Sequence, residues 1–327
     1  GRQNGKNCSA GYGCTAGYRI DWNSFGFGVW PKPISFRKRK TGPFFFIGPG
    51  TCGIWMDSVR KDWHMACFCT LASGSSGNST YIGSGVSGVL IDVGISCRGI
   101  LTAMETKGID RESIGAVFIT HEHIDHIKGL KVLLKKLPVP VYATDEVLDF
   151  LAGRDYLPAD AKAIPMPVQG VGIGDLYIGA FETSHDSAHS VGYVAVSGNG
   201  KKMAVSTDLG VVTPMVREAV SGCDLVLLES NYDRNMLMAG CYPYPLKRRI
   251  DGDSGHLSNL DCAAFLPELV HSGARQIVLG HLSRENNLPG LALETAVSAL
   301  TQAGMEREKD YQIEVAPRYE PGSMIRL

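Results

Sequence analysis

Between Ala116 and Leu137 the chain changes character twice. Ala116-Val117-Phe118-Ile119-Thr120 is a short apolar run, and Ile127, Leu130, Leu134 and Leu137 then recur at helical spacing. Between the two lies His121-Glu122-His123-Ile124-Asp125-His126, which packs three imidazoles and an aspartate into six positions. A loop this rich in metal-binding side chains, placed where a buried strand hands over to a helix, sits where α/β proteins put their chemistry. His121 and His123, two residues apart on an extended loop, can bind one ion together. Asp125 and His126 begin the helix and point elsewhere, so they can bind a second.

The same signature returns further along. Alternating and apolar runs predict strands over 68–71, 80–82, 89–92, 116–120 and 139–143, then over 176–178 and 180–181. Residues 191–196 and 202–206 read as a hairpin across Gly198-Asn199-Gly200. Helices are expected over 98–107, 144–152, 214–220, 259–271 and 291–302, with strands at 225–228, 276–279 and 311–315. His185, Asp208, Glu229 and His281 each follow one of these strands. Two similar halves of strands and helices predict a four-layer αβ/βα sandwich, with two sheets face to face and helices outside.

Charge narrows the partners. Residues 1–64 carry ten Lys/Arg against three Asp, whereas the remainder nets −8, so the main body is not a broadly basic nucleic-acid binder. A polyanion must then be met by a local basic patch or by bound metal. Residues 1–64 hold eleven Gly and no sustained period, and regularity begins at Met65. The expectation is an irregular basic segment over 1–64, lying upstream of the native start, and a hydrolase domain over 65–327. The nine cysteines are scattered, with Cys67 and Cys69 too close for a structural zinc pair. With no apolar run near the ~18 residues a membrane span needs, and no secretory leader, the protein is expected to be cytoplasmic, with free thiols.

These motifs resemble the metallo-β-lactamase superfamily, whose signature is H-x-H-x-D-H after a strand. The later members match in order: His185, Asp208 in Ser-Thr-Asp-Leu-Gly, and His281 in Gly-His-Leu-Ser. Residues 66–315, essentially the whole ordered chain, are covered. The sequence is most similar to the YycJ/WalJ-like bacterial branch, through Leu71-Ala72-Ser73-Gly74-Ser75-Ser76-Gly77-Asn78, Glu229-Ser230-Asn231-Tyr232-Asp233 and Gly255-His256-Leu257-Ser258-Asn259. The resemblance implies that His121, His123 and His185 hold one divalent ion and Asp125, His126 and His281 a second, with Asp208 bridging. Zinc is favoured, with manganese or iron as alternatives.

Such a pair of ions makes a bridging water acidic enough to supply hydroxide at neutral pH, and it clamps oxygens on which charge develops. Asp125, Glu229 and His256 are the candidate catalytic residues. The resemblance to phosphodiesterases of this superfamily implies that Glu229 and His256 protonate a leaving alkoxide. Lys247, Arg248 and Arg249 are candidate phosphate contacts, and Asp92 is expected to brace the metal loop from beneath. Asp208 where true β-lactamases commonly have Cys, and no export signal, exclude antibiotic hydrolysis. The reading is a DNA exonuclease, with DNA favoured over RNA and no membrane partner. The alternative is a small-molecule hydrolase, such as a cyclic phosphodiesterase or a thioester or lactone hydrolase. A third reading is a regulatory protein that retains the metal site.

Overall fold

The apolar run ahead of the histidine loop is a strand, Ile114–Phe118, with both faces buried. Ala116 and Phe118 enter a core shared with a second sheet, while Val117, and Ile119 just beyond the strand, lie beneath helices. Burial on both faces explains why the sequence shows a continuous apolar run and not an alternation.

The computed structural model describes residues 65–84 and 87–327, which fall within one compact unit. The expected segment 1–64 lies outside the described residues. The first half contains β1 (Cys67–Ala72), β2 (Ser79–Gly83), β3 (Gly88–Ile91), α1 (Cys97–Thr106), β4 (Ile114–Phe118), α2 (Ile124–Ile127), α3 (Leu130–Lys136), β5 (Val141–Ala143), α4 (Asp145–Gly153) and β6 (Ala163–Pro165). The second contains β7 (Val171–Ile173), β8 (Leu176–Glu182), β9 (Val191–Ser197), β10 (Lys202–Ser206), α5 (Pro214–Val220), β11 (Leu225–Glu229), α6 (Arg234–Ala239), α7 (Tyr244–Ile250), α8 (Asn259–Ser272), β12 (Gln276–Gly280), α9 (Pro289–Gln302), β13 (Gln312–Val315) and β14 (Ile325–Arg326).

The strands form two seven-stranded sheets, ordered β14-β1-β2-β3-β4-β5-β6 and β13-β12-β11-β10-β9-β8-β7. Phe68, Ile82, Val89 and Phe118 from the first meet Ile178, Tyr193, Val205, Leu227 and Val278 from the second in a central core. On the outer faces, α1, α3 and α4 cover the first sheet and α5, α8 and α9 the second. This is the expected four-layer sandwich. Phe118 stacks on Tyr142 at 5.0 Å and meets Tyr193 edge-on at 5.3 Å, and the Tyr193 hydroxyl donates to Ile119 O across the sheets at 2.7 Å.

Two expectations need correcting. Ordered structure continues past residue 315: β14 pairs with β1, matching Cys67 to Arg326 and Phe68 to Ile325. The helix after the histidine loop is two helices, broken at Lys128-Gly129. Gly129 lies so close to a neighbouring loop that a Cβ would fall 2.1 Å from Ile95 O. Two helices, α6 and α7, occupy the stretch after Glu229, where no apolar period announced them. Among the described residues no helix is long and apolar enough to cross a membrane.

Candidate metal centre

The parallel strands β3, β4, β10, β11 and β12 deliver their following residues to one edge of the sandwich. His121 follows β4, Asp208 follows β10, Glu229 ends β11, and His281 follows β12. His185 comes from the loop between β8 and β9, and His256 from the loop ahead of α8. The histidine loop is clamped by its own backbone: Val93 N donates to His126 O at 2.7 Å, and Asn78 N to Asp125 O at 2.8 Å. The clamp needs Gly94, because a Cβ there would fall 1.6 Å from Asp125 O. Asp92, Asp208 and His281 all adopt positive φ, at 62°, 58° and 54°. Non-glycine residues in that region cost of order 1–3 kcal/mol, which the surrounding contacts must offset.

Two sets of donor atoms converge. His121, His123 and His185 form one group and Asp125, His126 and His281 another, each with its ligand atoms within 4.8 Å of one another. His185 Nε2 lies 3.3 Å from His123 Nδ1, and Asp125 Oδ2 lies 3.3 Å from His281 Nε2 and 3.5 Å from His126 Nε2. Asp208 stands between, with Oδ2 3.2 Å from His126 Nε2, and Oδ1 3.3 Å from His281 Nδ1 and 3.8 Å from His185 Nε2. His121 Nε2 and Asp208 Oδ2 are fully buried and accept no well-directed hydrogen bond. Burying such groups unsatisfied costs about 1–3 kcal/mol each. A divalent cation would satisfy both, and imidazole with carboxylate is a donor set that zinc accepts.

The ring nitrogens turned away from the ligand groups are held by fixed partners. Asp92 Oδ2 accepts from His126 Nδ1 at 2.8 Å and from Thr120 Oγ1 at 2.9 Å, and Asp92 Oδ1 accepts from Thr120 N at 2.9 Å. Gly255 O accepts from His185 Nδ1 at 2.8 Å. Glu229 is fully buried and satisfied on both oxygens. Its Oε1 accepts from His256 Nδ1 and His281 Nδ1, both at 2.8 Å; its Oε2 accepts from Leu209 N at 2.9 Å and Leu257 N at 3.3 Å. Asp208, Glu229, His256 and His281 are also close enough to hold an ion. Glu229, with four N–H donors already on its oxygens, is placed as an orienter of the segments around it.

Protonation follows this layout. Burial, helped by the neighbouring His126, pushes His121 well below an ordinary imidazole, and burial also lowers His185. Burial opposes charge at His126 as well, but Asp208, Asp92 and Asp125 overcome it and hold this ring well above the usual value. The same contest at His281, won by Asp208, Asp125 and Glu229, raises it to about 10. Against their burial, His126 and His281 keep Asp125 far below the carboxylate range, and His281 and His126 do the same for Asp208. His256 is raised by Glu229 despite its burial.

A cavity of about 320 Å³ opens over these groups, lined by Ser75, His123, Asp125, Asp208, Arg249, His256 and His281, among others. Of the three basic candidates only Arg249 reaches it, paired with Asp186, whose Oδ1 lies 3.6 Å from His185 Nε2. Lys247 is engaged elsewhere, its Nζ donating to Met238 O and Gly240 O at 2.7 Å each. Arg248 is exposed on the outside of α7. His189 stands apart, 3.0 Å from Glu146 and 3.5 Å from Glu182. Sequence reasoning missed Asn78, whose Nδ2 sits 3.1 Å from His126 Nε2 and 3.4 Å from Asp125 Oδ2. It also missed Thr120, which bonds Asp92 beneath the loop. Asn78 reaches its partners across 47 residues of sequence, so no local spacing could have announced it.

A family model described as the β-lactamase superfamily domain matches residues 88–282. The chain belongs to the metallo-β-lactamase superfamily. Among curated proteins of this superfamily it is 34% identical over 249 residues to "Exodeoxyribonuclease YycJ" of Bacillus anthracis, covering 75% of this chain and 93% of that one. Identity to "Exodeoxyribonuclease WalJ" of Streptococcus pneumoniae is also 34%, over 75% and 92% of the two chains. The metallo-β-lactamase fold protein YhfI of Bacillus subtilis superposes with a TM-score of 0.59 at 16% identity, covering 79% of this chain and 99% of that one. Zn(2+)-bound PqqB of Methylobacterium extorquens matches with the same score and coverage at 19% identity. Metallo-β-lactamase superfamily membership in the YycJ/WalJ branch makes the protein a metal-dependent hydrolase.

Proposed function

We propose that residues 65–327 form a dinuclear-metal phosphodiesterase that degrades DNA from an end. One observation carries the reading: His256, on the cavity wall, is held through Nδ1 by the buried Glu229, beside two converging sets of metal donors. The exodeoxyribonuclease names of the YycJ and WalJ relatives support DNA as the substrate. His121, His123 and His185 would hold one ion and Asp125, His126 and His281 the other, with Asp208 shared between them. Zinc suits this donor set, with manganese and iron as alternatives. Bound there, two ions supply an acidified water as nucleophile and neutralise charge on the phosphate oxygens.

The chain's own groups do the rest. Glu229 Oε1 takes the Nδ1 proton of His256 in a hydrogen bond, which fixes the ring and leaves Nε2 for the substrate. A proton delivered from Nε2 to the departing alkoxide removes the need to expel an unprotonated leaving group. Arg249 leaves Asp186 to pair with a phosphate oxygen, a charge-assisted contact of the kind guanidinium makes well. The cytoplasm, which keeps thiols reduced, is the compartment proposed, in keeping with the free cysteines among the described residues.

The test is to incubate metal-loaded protein with end-labelled duplex DNA, single-stranded RNA and bis(4-nitrophenyl) phosphate. Stepwise shortening of the DNA is expected. Turnover of the small ester without polymer degradation would move the protein to the small-molecule hydrolases. No turnover of any substrate, with both ions bound, would make it a binding protein.

A further inference from the structure

Helix α7 contributes little to the core. None of its seven residues is fully buried, although Leu246 and Ile250 are half-buried, and polar contacts hold it at three points. Lys247 caps the carbonyls at the end of α6, Arg249 pairs with Asp186, and Asp251 at its C-terminus takes hydrogen bonds from the Tyr232 hydroxyl and Arg234. A helix that fully buries no residue adds little to a core. What α7 presents is charge and an aromatic ring. Arg249 reaches into the cavity, while Tyr244, 68% exposed, and Arg248, four residues on, share the outer face. The Arg248 side chain makes no hydrogen bond or ion pair with any described residue. Arg249 meets a cavity lined with carboxylates and Arg248 stands on the outer face of the same helix, on a body whose residues 65–327 net −8.

We infer that the exposed face of α7 is a binding track for a single-stranded nucleic-acid segment next to the scissile phosphate, with Tyr244 stacking on a base and Arg248 on a phosphate. The inference rests on the phosphodiesterase reading above and adds the residues that would choose the form of the polymer. Tyr244 and Arg248, four residues apart, are neighbours on one face of the helix, about 6 Å apart along its axis. An aromatic face recognises any base but only an unpaired one, and a guanidinium beside it follows the backbone. A duplex keeps its bases stacked inside and gives Tyr244 no surface to meet. An exposed ring and a free cation on a pinned helix therefore select strands whose ends are already open.

The test uses the metal-loaded full chain, a single-stranded DNA oligonucleotide, a blunt duplex of the same sequence, and bis(4-nitrophenyl) phosphate. The small ester reaches no further than the cavity, so its turnover reports folding and metal loading. Tyr244→Ala is expected to raise KM for the single strand roughly tenfold, with ester kcat/KM held and Tyr244→Phe restoring the value. Arg248→Gln should flatten the dependence of log KM on log salt by about 0.7, the loss of one single-strand phosphate contact. The wild type should prefer the single strand to the blunt duplex. An unchanged KM for the single strand in both variants, with the oligonucleotide still cut, overturns the track and leaves the phosphodiesterase reading standing. Turnover of the ester with no oligonucleotide cut by the wild type overturns the polymer reading and the track with it.

Discussion

The two ligand groups differ in what stands behind them. Behind His185 is a neutral carbonyl, Gly255 O, and behind His121 a hydroxyl, Thr120 Oγ1 at 3.0 Å. Behind His126 and His281 are buried carboxylates, Asp92 and Glu229. The first group is three imidazoles; the second has a carboxylate of its own in Asp125. A carboxylate behind a histidine fixes its tautomer and makes it a more basic ligand. The second group should therefore bind its ion more tightly and with a steeper response to pH.

Removing the side chain common to both groups should have the largest effect. Asp208→Ala takes away the carboxylate between them, and kcat is expected to fall on the order of 10³, with both ions reduced in elemental analysis; retention of two ions would show that Asp208 is not shared. His256→Gln should leave metal content unchanged and slow DNA cleavage on the order of 10² or more. Hydrolysis of bis(4-nitrophenyl) phosphate should change little, since nitrophenolate departs without a proton. Equal losses on both substrates would place His256 elsewhere in the reaction.

Asp92→Asn sharpens the contrast between the groups. It should weaken the second ion by about 10- to 100-fold and spare the first, which a chelator titration followed by metal stoichiometry would resolve. A pH series gives the gentlest test. In the metal-free protein His126 and His281 hold protons above the usual imidazole value, the latter up to about 10, and metal must displace them. Affinity in the second group should thus climb between about pH 6 and about pH 9. His121 and His185 are lowered and lose their protons earlier, so the first group should flatten sooner. Calorimetry in buffers of different ionisation enthalpy counts the released protons, and equal release from both groups would erase the distinction.

The ligand set was legible because four of its members crowd into one short loop and helix after the fully apolar β4, and Asp208 and His281 come right after buried strands, so the polar residues stand out locally. Glu229 was legible as a polar residue at a strand end, but its pairing with His256 was legible only through a family resemblance. Helix α7 was missed because it buries no residue and so carries no apolar period. Strands β6 and β7 were missed because each is a three-residue outer strand with no fully buried position. β14 was beyond reach for another reason: its partner is β1, at the opposite end of the described chain. Lys247 shows the limit of reading a charge run, since one of three adjacent cations caps a helix and only another reaches the cavity.

Each ligand group draws two side chains from the loop after β4 in the first sheet and one from the second sheet. Neither sheet alone can complete either group. The centre is therefore also a gauge of assembly: a one-residue slip of β10 or β12 would turn Asp208 or His281 toward the opposite face, and the donors would no longer meet. Only a chain whose halves have stacked in register acquires the chemistry, so capture of metal doubles as a final inspection of the fold.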